Sequence, residues 1–193
     1  GTTVHFKPDK EIFETVEFSF DTLSQRLREQ AFLNRGIKID ITDEIHEKNH
    51  SFQYEGGISS FVEYLNKNKT VIHEHPIHLS GSKNDVDAEV ALQYNDGYQE
   101  TIFSYANTIN TREGGTHLIG FKSGLTRTIN EYAKKNNLTK DISAALSGED
   151  GREGLTAIIS VKIREPQFEG QTKAKLGNSV VKGIIESIVG DGL

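Results

Sequence analysis

The sequence contains neither cysteine nor methionine, and each absence excludes something. Without cysteine the protein can form no disulfide and offers no thiolate, which is typical of a reducing compartment. Methionine is missing even at position 1, so we expect the 193 residues to be part of a longer chain. No stretch approaches the ~18 consecutive apolar residues of a membrane-spanning helix, and no basic-then-apolar start indicates a secretory signal.

Positive charge is also scarce. Lys and Arg number 22 against 28 Asp and Glu, a formal net charge of −6 at pH 7. The chain as a whole therefore lacks the excess positive charge typical of non-specific nucleic-acid binding, and any contact with DNA must be local. The length fits one domain, or one domain with an appendage, at roughly 100–200 residues per domain.

Hydrophobic spacing predicts a mixed α/β fold. Strands are predicted at 2–8, 37–43, 86–94, 98–107 and 155–163, the first of them belonging to a preceding domain. The sequence Asn95-Asp96-Gly97 is typical of a tight β-hairpin turn, so it predicts that the strands 86–94 and 98–107 pair as antiparallel neighbours. Helices are predicted within 21–36, 56–68, 116–137 and 179–189. We expect an α+β two-layer arrangement: a mixed sheet of about four strands with helices on one face.

Two helices carry more detailed predictions. In the first, Thr22 and Gln25 predict an N-terminal capping box, and an inward stripe is formed by Leu23, Leu27 and Ala31. In the third, the inward stripe is predicted to be Phe121, Leu125, Ile129 and Tyr132.

Three histidines lie within HEHPIH, residues 73–78, and resemble a metal cluster. Pro76 excludes a helix there, so His75 and His78 cannot project together, and a solvated connector is the favoured interpretation. A metal protein built on these histidines stays an alternative. Elsewhere the chain has no Ser in a G-x-S-x-G elbow and no dinucleotide-binding loop, so it shows no complete catalytic set.

Two basic stretches remain as candidate binding sites. A run of basic residues extends from Lys122 to Lys135. Lys122 lies on a different face of the predicted helix from the other charged residues of the run, so its side chain is freer to contact a phosphate group. The polar segment QFEGQTKAKLGN, residues 167–178, stands between an apolar strand and an apolar helix. It presents Gln171, Lys173 and Lys175, and lysine is a compact charge suited to phosphate oxygens. From the residues alone, a solvated corner and a phosphate contact are equally open.

Five stretches, in order along the chain, resemble bacterial DNA gyrase B and its close relative, the ATPase component of topoisomerase IV. They are YEGGISSFVEYLN, LQYNDGYQE, EGGTHLIGFKSGLTRTIN, REGLTAIISVK and EGQTKAKLGN. The resemblance implies a transducer domain with the ribosomal protein S5 domain 2-like fold. By the same resemblance, residues 1–20 would be the C-terminal end of a GHKL ATPase domain and the linker from it. Residues 21–178 would form the S5-like domain, and residues 179–193 a helix leading toward the DNA gate.

The resemblance also implies what the polar segment does. In the family, a Gln-Thr-Lys loop reaches the ATPase domain of the same chain, which assigns to Lys173 contact with the ATP γ-phosphate and transition-state stabilisation, and to Gln171 an assisting role. Lys122 matches a basic position facing the cavity for the transported DNA duplex. ATP and Mg²⁺ would be bound mainly by the ATPase domain, so the fragment alone would be inactive, with no metal site of its own.

The implied partners are the preceding GHKL domain, a second copy of gyrase B, DNA, and gyrase A or its topoisomerase IV counterpart. The implied location is the bacterial cytoplasm, in association with the nucleoid and with no membrane contact. The alternative from another class is a stand-alone nucleic-acid-binding module of S5-like fold, which would bind nucleic acid with a steep salt dependence.

Overall fold

The computed structural model describes residues 1–138 and 145–193 and is organised by a mixed β-sheet. The four helices described are α1 (Phe20–Leu33), α2 (Ile58–Asn66), α3 (Thr116–Lys135) and α4 (Ser179–Gly192). The first strands are β1 (Ile39–Asp43), β2 (Lys48–Phe52), β3 (Ile77–Lys83), β4 (Val86–Tyr94) and β5 (Thr101–Ala106). The remaining strands are β6 (Ile109–Asn110), β7 (Leu155–Ile163), β8 (Phe168–Glu169) and β9 (Lys175–Leu176).

The main sheet has five strands rather than about four, in the order β3-β4-β7-β5-β6. The predicted hairpin between β4 and β5 is wrong, because β7 lies between them, antiparallel to β4 and parallel to β5. The hairpin partner of β4 is β3, joined through Asn84 and Asp85, which have φ angles of +52° and +57°. Asn and Asp tolerate this left-handed conformation better than other non-glycine residues, so they suit the tight turn.

The central strand β7 is buried on both faces, and alternate side chains enter two different cores. Ala157 and Ile159 pack in a cluster with α3 and α4, whereas Ile158 packs in a second cluster with α1 and α2. The fold class is confirmed as mixed α/β, but the expectation of helices on one face holds only for α3 and α4. The second face is covered by Phe32 and Leu33 of α1 and by Phe61 and Val62 of α2.

Helices α3 and α4 pack closely against each other. The helix predicted within 179–189 is confirmed as α4; it buries Val181, Ile184, Ile185 and Val189, whereas Val180 is 47% exposed. In α3, Phe121 and Leu125 are buried as predicted, but Tyr132 is 61% exposed and does not belong to the inward stripe. Gly120 lets the helices approach: a Cβ there would lie 2.4 Å from the carbonyl oxygen of Lys182.

The N-terminal part departs most from the predictions. Residues 2–8 form no strand, since no neighbouring strand pairs with them. Helix α1 is capped by Ser19, whose Oγ accepts from the Thr22 N–H at 3.3 Å, so the predicted capping box at Thr22 is wrong. Leu23 is 40% exposed while Ser24 is buried, so α1 turns a more polar face inward than predicted. After β1 the chain turns and returns as β2, which pairs antiparallel with β1 and was not predicted.

Candidate functional site

The polar segment singled out from the sequence forms a small hairpin between β7 and α4. Strands β8 and β9 pair through Phe168–Leu176 and Glu169–Lys175, with Gly170–Ala174 as the connecting turn. Gly170 and Lys173 adopt left-handed conformations with φ of +75° and +54°, which turn the chain back sharply. Gln171, Thr172 and Lys173 are exposed at the tip. We call residues 168–176 the QTK hairpin.

The base of the QTK hairpin is bound to the segment that starts α3. The Leu176 N–H donates to the Gly114 carbonyl at 3.1 Å, and the Glu113 N–H donates to the Ala174 carbonyl at 3.0 Å. Gly115 forms a bridge with Leu176 and approaches so closely that a Cβ would lie 2.4 Å from the Leu176 oxygen. Only glycine fits at this contact, so the Gly114-Gly115 pair holds the hairpin base against the N-terminus of α3.

The other side of the base is held by the residue that precedes α4. The Asn178 Oδ1 accepts from the Gln167 N–H at 2.7 Å, and its Nδ2 donates to the Glu165 carbonyl at 3.1 Å. The Gly177 N–H also donates to the Gln167 carbonyl at 2.7 Å. The hairpin is therefore connected by hydrogen bonds to the starts of both helices of the α3–α4 pair.

The two lysines of the hairpin have different surroundings. Lys175 forms a salt bridge with Glu169 across the hairpin at 3.1 Å. The Lys173 Nζ lies 5.9 Å from the centre of the Phe168 ring and forms no salt bridge with any described residue. Lys173 is thus the hairpin cation whose charge is available to an external anion.

A buried polar network lies behind the hairpin base. His117, in the first turn of α3, is fully buried, and its Nε2 lies 3.0 Å from the Thr111 Oγ1. The same Thr111 Oγ1 lies 2.9 Å from the Ser104 carbonyl oxygen and 2.8 Å from the Ser104 Oγ, so the ring belongs to a buried hydroxyl network. The His117 Nδ1 has no partner among the described residues. Burial lowers the pKa of His117 from 6.5 to about 4, which keeps the ring neutral.

Lys122 is not the unpaired cation that its sequence position predicts. Its Nζ donates to the Glu100 carboxylate at 2.5 Å, and Arg152 contacts the other oxygen of the same carboxylate at 2.7 Å. Burial pushes the pKa of Glu100 upward, but the hydrogen bonds from Lys122 and Arg152 outweigh it and hold that pKa below its usual value. The partner lies 22 residues away in the chain, so helical spacing could not reveal it.

The histidines of HEHPIH are not arranged as a metal site. The His73 Nδ1 contacts the His75 carbonyl at 2.8 Å, and its Nε2 accepts from the Tyr94 N–H at 3.0 Å, so both ring nitrogens are in use. His78 belongs to β3 and lies 3.9 Å from Glu89. Within residues 1–138 and 145–193, no group of three or more metal-ligating side chains could hold an ion. His73 and Gln93 attach the connector to β4.

Sequence reasoning located the exposed tip but missed what fixes it in place. The roles of Asn178, His117 and the Gly114-Gly115 pair were not predicted, although the paired glycines were visible as a turn signal.

The helices in the described ranges include none long and apolar enough to cross a bilayer.

Comparison with known proteins assigns the family. A family model described as DNA gyrase B matches residues 57–193. The chain belongs to the DNA gyrase B family. It is 62% identical over 192 residues to the DNA gyrase B of Clostridium acetobutylicum, covering 99% of this chain and 30% of that protein. The chain therefore spans about a third of the length of this relative.

Solved structures of gyrase and topoisomerase IV share the fold. The 43K ATPase domain of Thermus thermophilus gyrase B, crystallised with an aminocoumarin, matches with a TM-score of 0.82 and 40% identity. That match covers 96% of this chain and 50% of the other. The topoisomerase IV ATP-binding domain of Francisella tularensis matches with a TM-score of 0.76 and 28% identity, over 95% of this chain and 49% of that one.

Proposed function

We propose that this member of the DNA gyrase B family is the transducer part of a type IIA DNA topoisomerase and contacts the ATP γ-phosphate through the QTK hairpin. The observation that carries the proposal is Lys173, an exposed cation without a salt-bridge partner in the described residues, at the tip of a hairpin whose base is fixed. The ATP itself would lie in the preceding GHKL domain, together with Mg²⁺.

The chemistry of phosphoryl transfer explains why a single lysine would matter. Charge accumulates on the transferring phosphoryl group, and a positioned cation stabilises it electrostatically. Lysine supplies a compact charge with three donors, and Gln171 two positions earlier supplies an amide donor on the same turn. Lys173 would raise the turnover rate by stabilising the transition state, and Gln171 would help to orient the phosphate.

The anchoring of the hairpin supports a role in transmitting the nucleotide state. The hairpin base is hydrogen-bonded to Gly114, just before α3, and to Asn178, just before α4. A γ-phosphate that attracts Lys173 would pull on both helix starts together, and hydrolysis would remove that attraction. We therefore infer that α3 and α4 move as a pair when the nucleotide state changes.

Residues 1–20 would belong to the GHKL domain or its linker, 21–178 to the S5-like domain, and 179–193 to a helix leading toward the DNA gate. Two features support extending the GHKL part toward residue 56: the family match begins at residue 57, and β1 and β2 form a sheet of their own. The assembly would include a second copy of the chain, a transported DNA duplex and gyrase A or its topoisomerase IV counterpart, in the bacterial cytoplasm near the nucleoid.

The proposed DNA contact of Lys122 is weakened by its carboxylate partner. Because Glu100 bridges Lys122 and Arg152, the group of three carries one net positive charge instead of the two that its cations would supply alone. A phosphate backbone would have to compete with Glu100 for Lys122. Lys122 is therefore the weaker of the proposed contacts.

The test compares two lysines of the same hairpin, with the preceding ATPase domain present. Replacing Lys173 with Ala should lower ATP turnover by roughly a hundredfold or more, the scale of a positioned cation in phosphoryl transfer. ATP binding, measured in parallel, should be mostly retained. Lys175→Ala is the matched control, since Lys175 already pairs with Glu169 and should change turnover little. Equal turnover in wild type and Lys173→Ala would refute the phosphate contact.

A further inference from the structure

Phe168 is the only aromatic residue of the QTK hairpin, and it lies at the base of the hairpin. It begins β8 and pairs with Leu176 of β9. Leu176 is 1% exposed and belongs to the core formed with α3 and α4, and the half-buried Phe168 packs against the same core. The Phe168 ring is therefore held by the packed part of the protein, although the tip of its hairpin is exposed.

The backbone next to Phe168 is also fixed. The Gln167 N–H donates to the Asn178 Oδ1 at 2.7 Å, and the Gln167 carbonyl accepts from the Gly177 N–H at 2.7 Å. Hydrogen bonds on both sides of the preceding peptide leave Phe168 little freedom to move along the hairpin. Because side chains packed against a core are held in defined rotamers, the ring presents a rigid surface.

The turn of the hairpin brings Lys173 back to this ring. Lys173 has a left-handed backbone with φ of +54°, and its N–H donates to the Gly170 carbonyl at 3.4 Å. Its Nζ lies 5.9 Å from the centre of the Phe168 ring, within the roughly 6 Å over which a cation is attracted to an aromatic face. An exposed lysine otherwise samples many rotamers, so the ring restricts where the ammonium group lies.

The contact with the ring leaves the N–H donors of Lys173 available. The attraction of an ammonium group to an aromatic face acts through its charge, and 5.9 Å is too long for a hydrogen bond. Lysine has three N–H donors, all of which can still bind phosphate oxygens. Lys175 of the same hairpin differs, since its Nζ lies 3.1 Å from the Glu169 carboxylate. The ring can therefore hold the Lys173 ammonium group from one side while an anion binds it from the other.

We propose that Phe168 is a positioning residue, whose ring holds the Lys173 ammonium group in place for its contact with phosphate. This inference rests on the proposed function, because the position of Lys173 affects turnover only if Lys173 contacts the ATP γ-phosphate. A cation–aromatic contact at an exposed site is modest, so loss of the ring should lower turnover roughly two- to fivefold. That effect is much smaller than the loss expected for Lys173→Ala.

NMR of the Lys173 side chain tests the contact directly, in the 193-residue chain without nucleotide. The protons next to the Lys173 ammonium group should be shifted upfield by the ring current of Phe168. The shift should disappear in Phe168→Leu and be retained in Phe168→Tyr, which keeps the ring. The Lys175 side chain, paired with Glu169, is the internal control and should not change between these variants.

ATP turnover, measured with the preceding ATPase domain present, tests the positioning role. Phe168→Leu keeps an apolar side chain for packing but should lower kcat two- to fivefold, and Phe168→Tyr should restore it. In a Lys173→Ala background, Phe168→Leu should have no further effect, because the ring acts only through the lysine. A merely structural role would lower turnover equally in both backgrounds, and thermal melting reports whether each variant is folded.

The possible outcomes separate this inference from the proposed function. If Lys173→Ala turns over ATP like wild type, the phosphate contact is refuted and the positioning role with it. If Lys173→Ala is slow but folded Phe168→Leu matches or exceeds wild type, the phosphate contact stands and the positioning role is overturned. The role is also overturned if the Lys173 proton shifts are the same in wild type and Phe168→Leu.

Discussion

His117 shows how one residue can set the response of the protein to acid. Because burial depresses its folded-state pKa from 6.5 to about 4, the unfolded chain binds the extra proton first as the pH falls. The stability that depends on neutral His117 should be complete above pH 6.5 and be lost progressively toward pH 4. A shift of this size corresponds to about 3 kcal/mol at most.

This prediction is checked by urea unfolding of wild type and His117→Gln between pH 7.5 and 4.5. The stability advantage of wild type over the variant should shrink by roughly 2–3 kcal/mol across that range. The same substitution at exposed His5 controls for the loss of a histidine. A wild-type advantage that stays constant with pH would mean that His117 does not titrate below its ordinary pKa.

Asn107 links two strand ends with its side chain. It donates from Nδ2 to the Ile163 carbonyl at 2.7 Å and accepts at Oδ1 from the Ile163 N–H at 2.8 Å, which extends the pairing of β5 with β7. Its φ of +46° is left-handed. Asn107→Gly should lose roughly 2–3 kcal/mol of unfolding free energy from the two hydrogen bonds. Asn107→Ala should lose about 1 kcal/mol more, because alanine disfavours this backbone conformation.

Denaturant unfolding of the two Asn107 variants separates these contributions. The glycine variant keeps the backbone unstrained and reports the side-chain hydrogen bonds, and the difference between alanine and glycine reports the conformational strain. Equal stability of the glycine variant and wild type would show that the two hydrogen bonds contribute nothing net.

The α3–α4 pair depends on a glycine at its point of closest approach. Gly120 faces the Lys182 carbonyl so closely that Gly120→Ala would force a 2.4 Å contact, and the helices would have to separate. We expect a loss of roughly 2–3 kcal/mol, typical of overpacking. Gly183→Ala is the matched control: nothing lies within 4 Å of its Cβ position, so alanine should stabilise α4 by about 0.5–1 kcal/mol.

Thermal melting of the two glycine variants in parallel tests this prediction. Opposite shifts of the melting temperature are expected, downward for Gly120→Ala and upward for Gly183→Ala. Downward shifts of similar size in both would mean that the close approach at Gly120 is not what limits the packing.

The elements that were predictable are those whose burial repeats with a simple period. In β4 the side chains of Val86, Ala88, Val90 and Leu92 are all buried, and in α4 the buried Val181, Ile184, Ile185 and Val189 recur at helical spacing. Strand β3 was missed because Ile77–Lys83 buries only Leu79 and is otherwise polar, as suits an edge strand. The insertion of β7 between β4 and β5 could not be inferred, since the Asn95-Asp96-Gly97 turn describes only the local chain.

The residues of the candidate site divide in the same way, into those that a local sequence pattern predicts and those that only tertiary contacts place. The exposed Gln171 and Lys173 were predicted from the resemblance and the polar composition, and the structure places them at a turn tip. The anchoring of the hairpin to Gly114, about 60 residues earlier in the chain, is a tertiary contact that no local pattern encodes. Lys122 failed as an unpaired cation for the same reason, because Glu100 lies in the connection between β4 and β5, 22 residues away in the chain.

At the scale of the whole molecule, β7 connects the two cores. Ile158 packs with α1 and α2, and its neighbours Ala157 and Ile159 pack with α3 and α4 on the opposite face. A strand buried on both faces cannot lose one layer without exposing apolar surface to water, so the two layers should unfold in one cooperative step. The α3–α4 layer, which carries the QTK hairpin, thus depends for its stability on the α1–α2 layer on the opposite face of the sheet.

Val62→Ala tests this coupling, because Val62 is fully buried in α2 and lies far in sequence from α4. Removing two buried methyl groups should cost roughly 2 kcal/mol of unfolding free energy. Native-state hydrogen exchange should then show the slowest amides of α2 and of α4 losing protection by the same factor, near thirtyfold for about 2 kcal/mol. Val4→Ala, at a side chain that is 80% exposed, is the control. Faster exchange confined to α1 and α2 would instead show that β7 keeps its α3–α4 face intact while the other core opens.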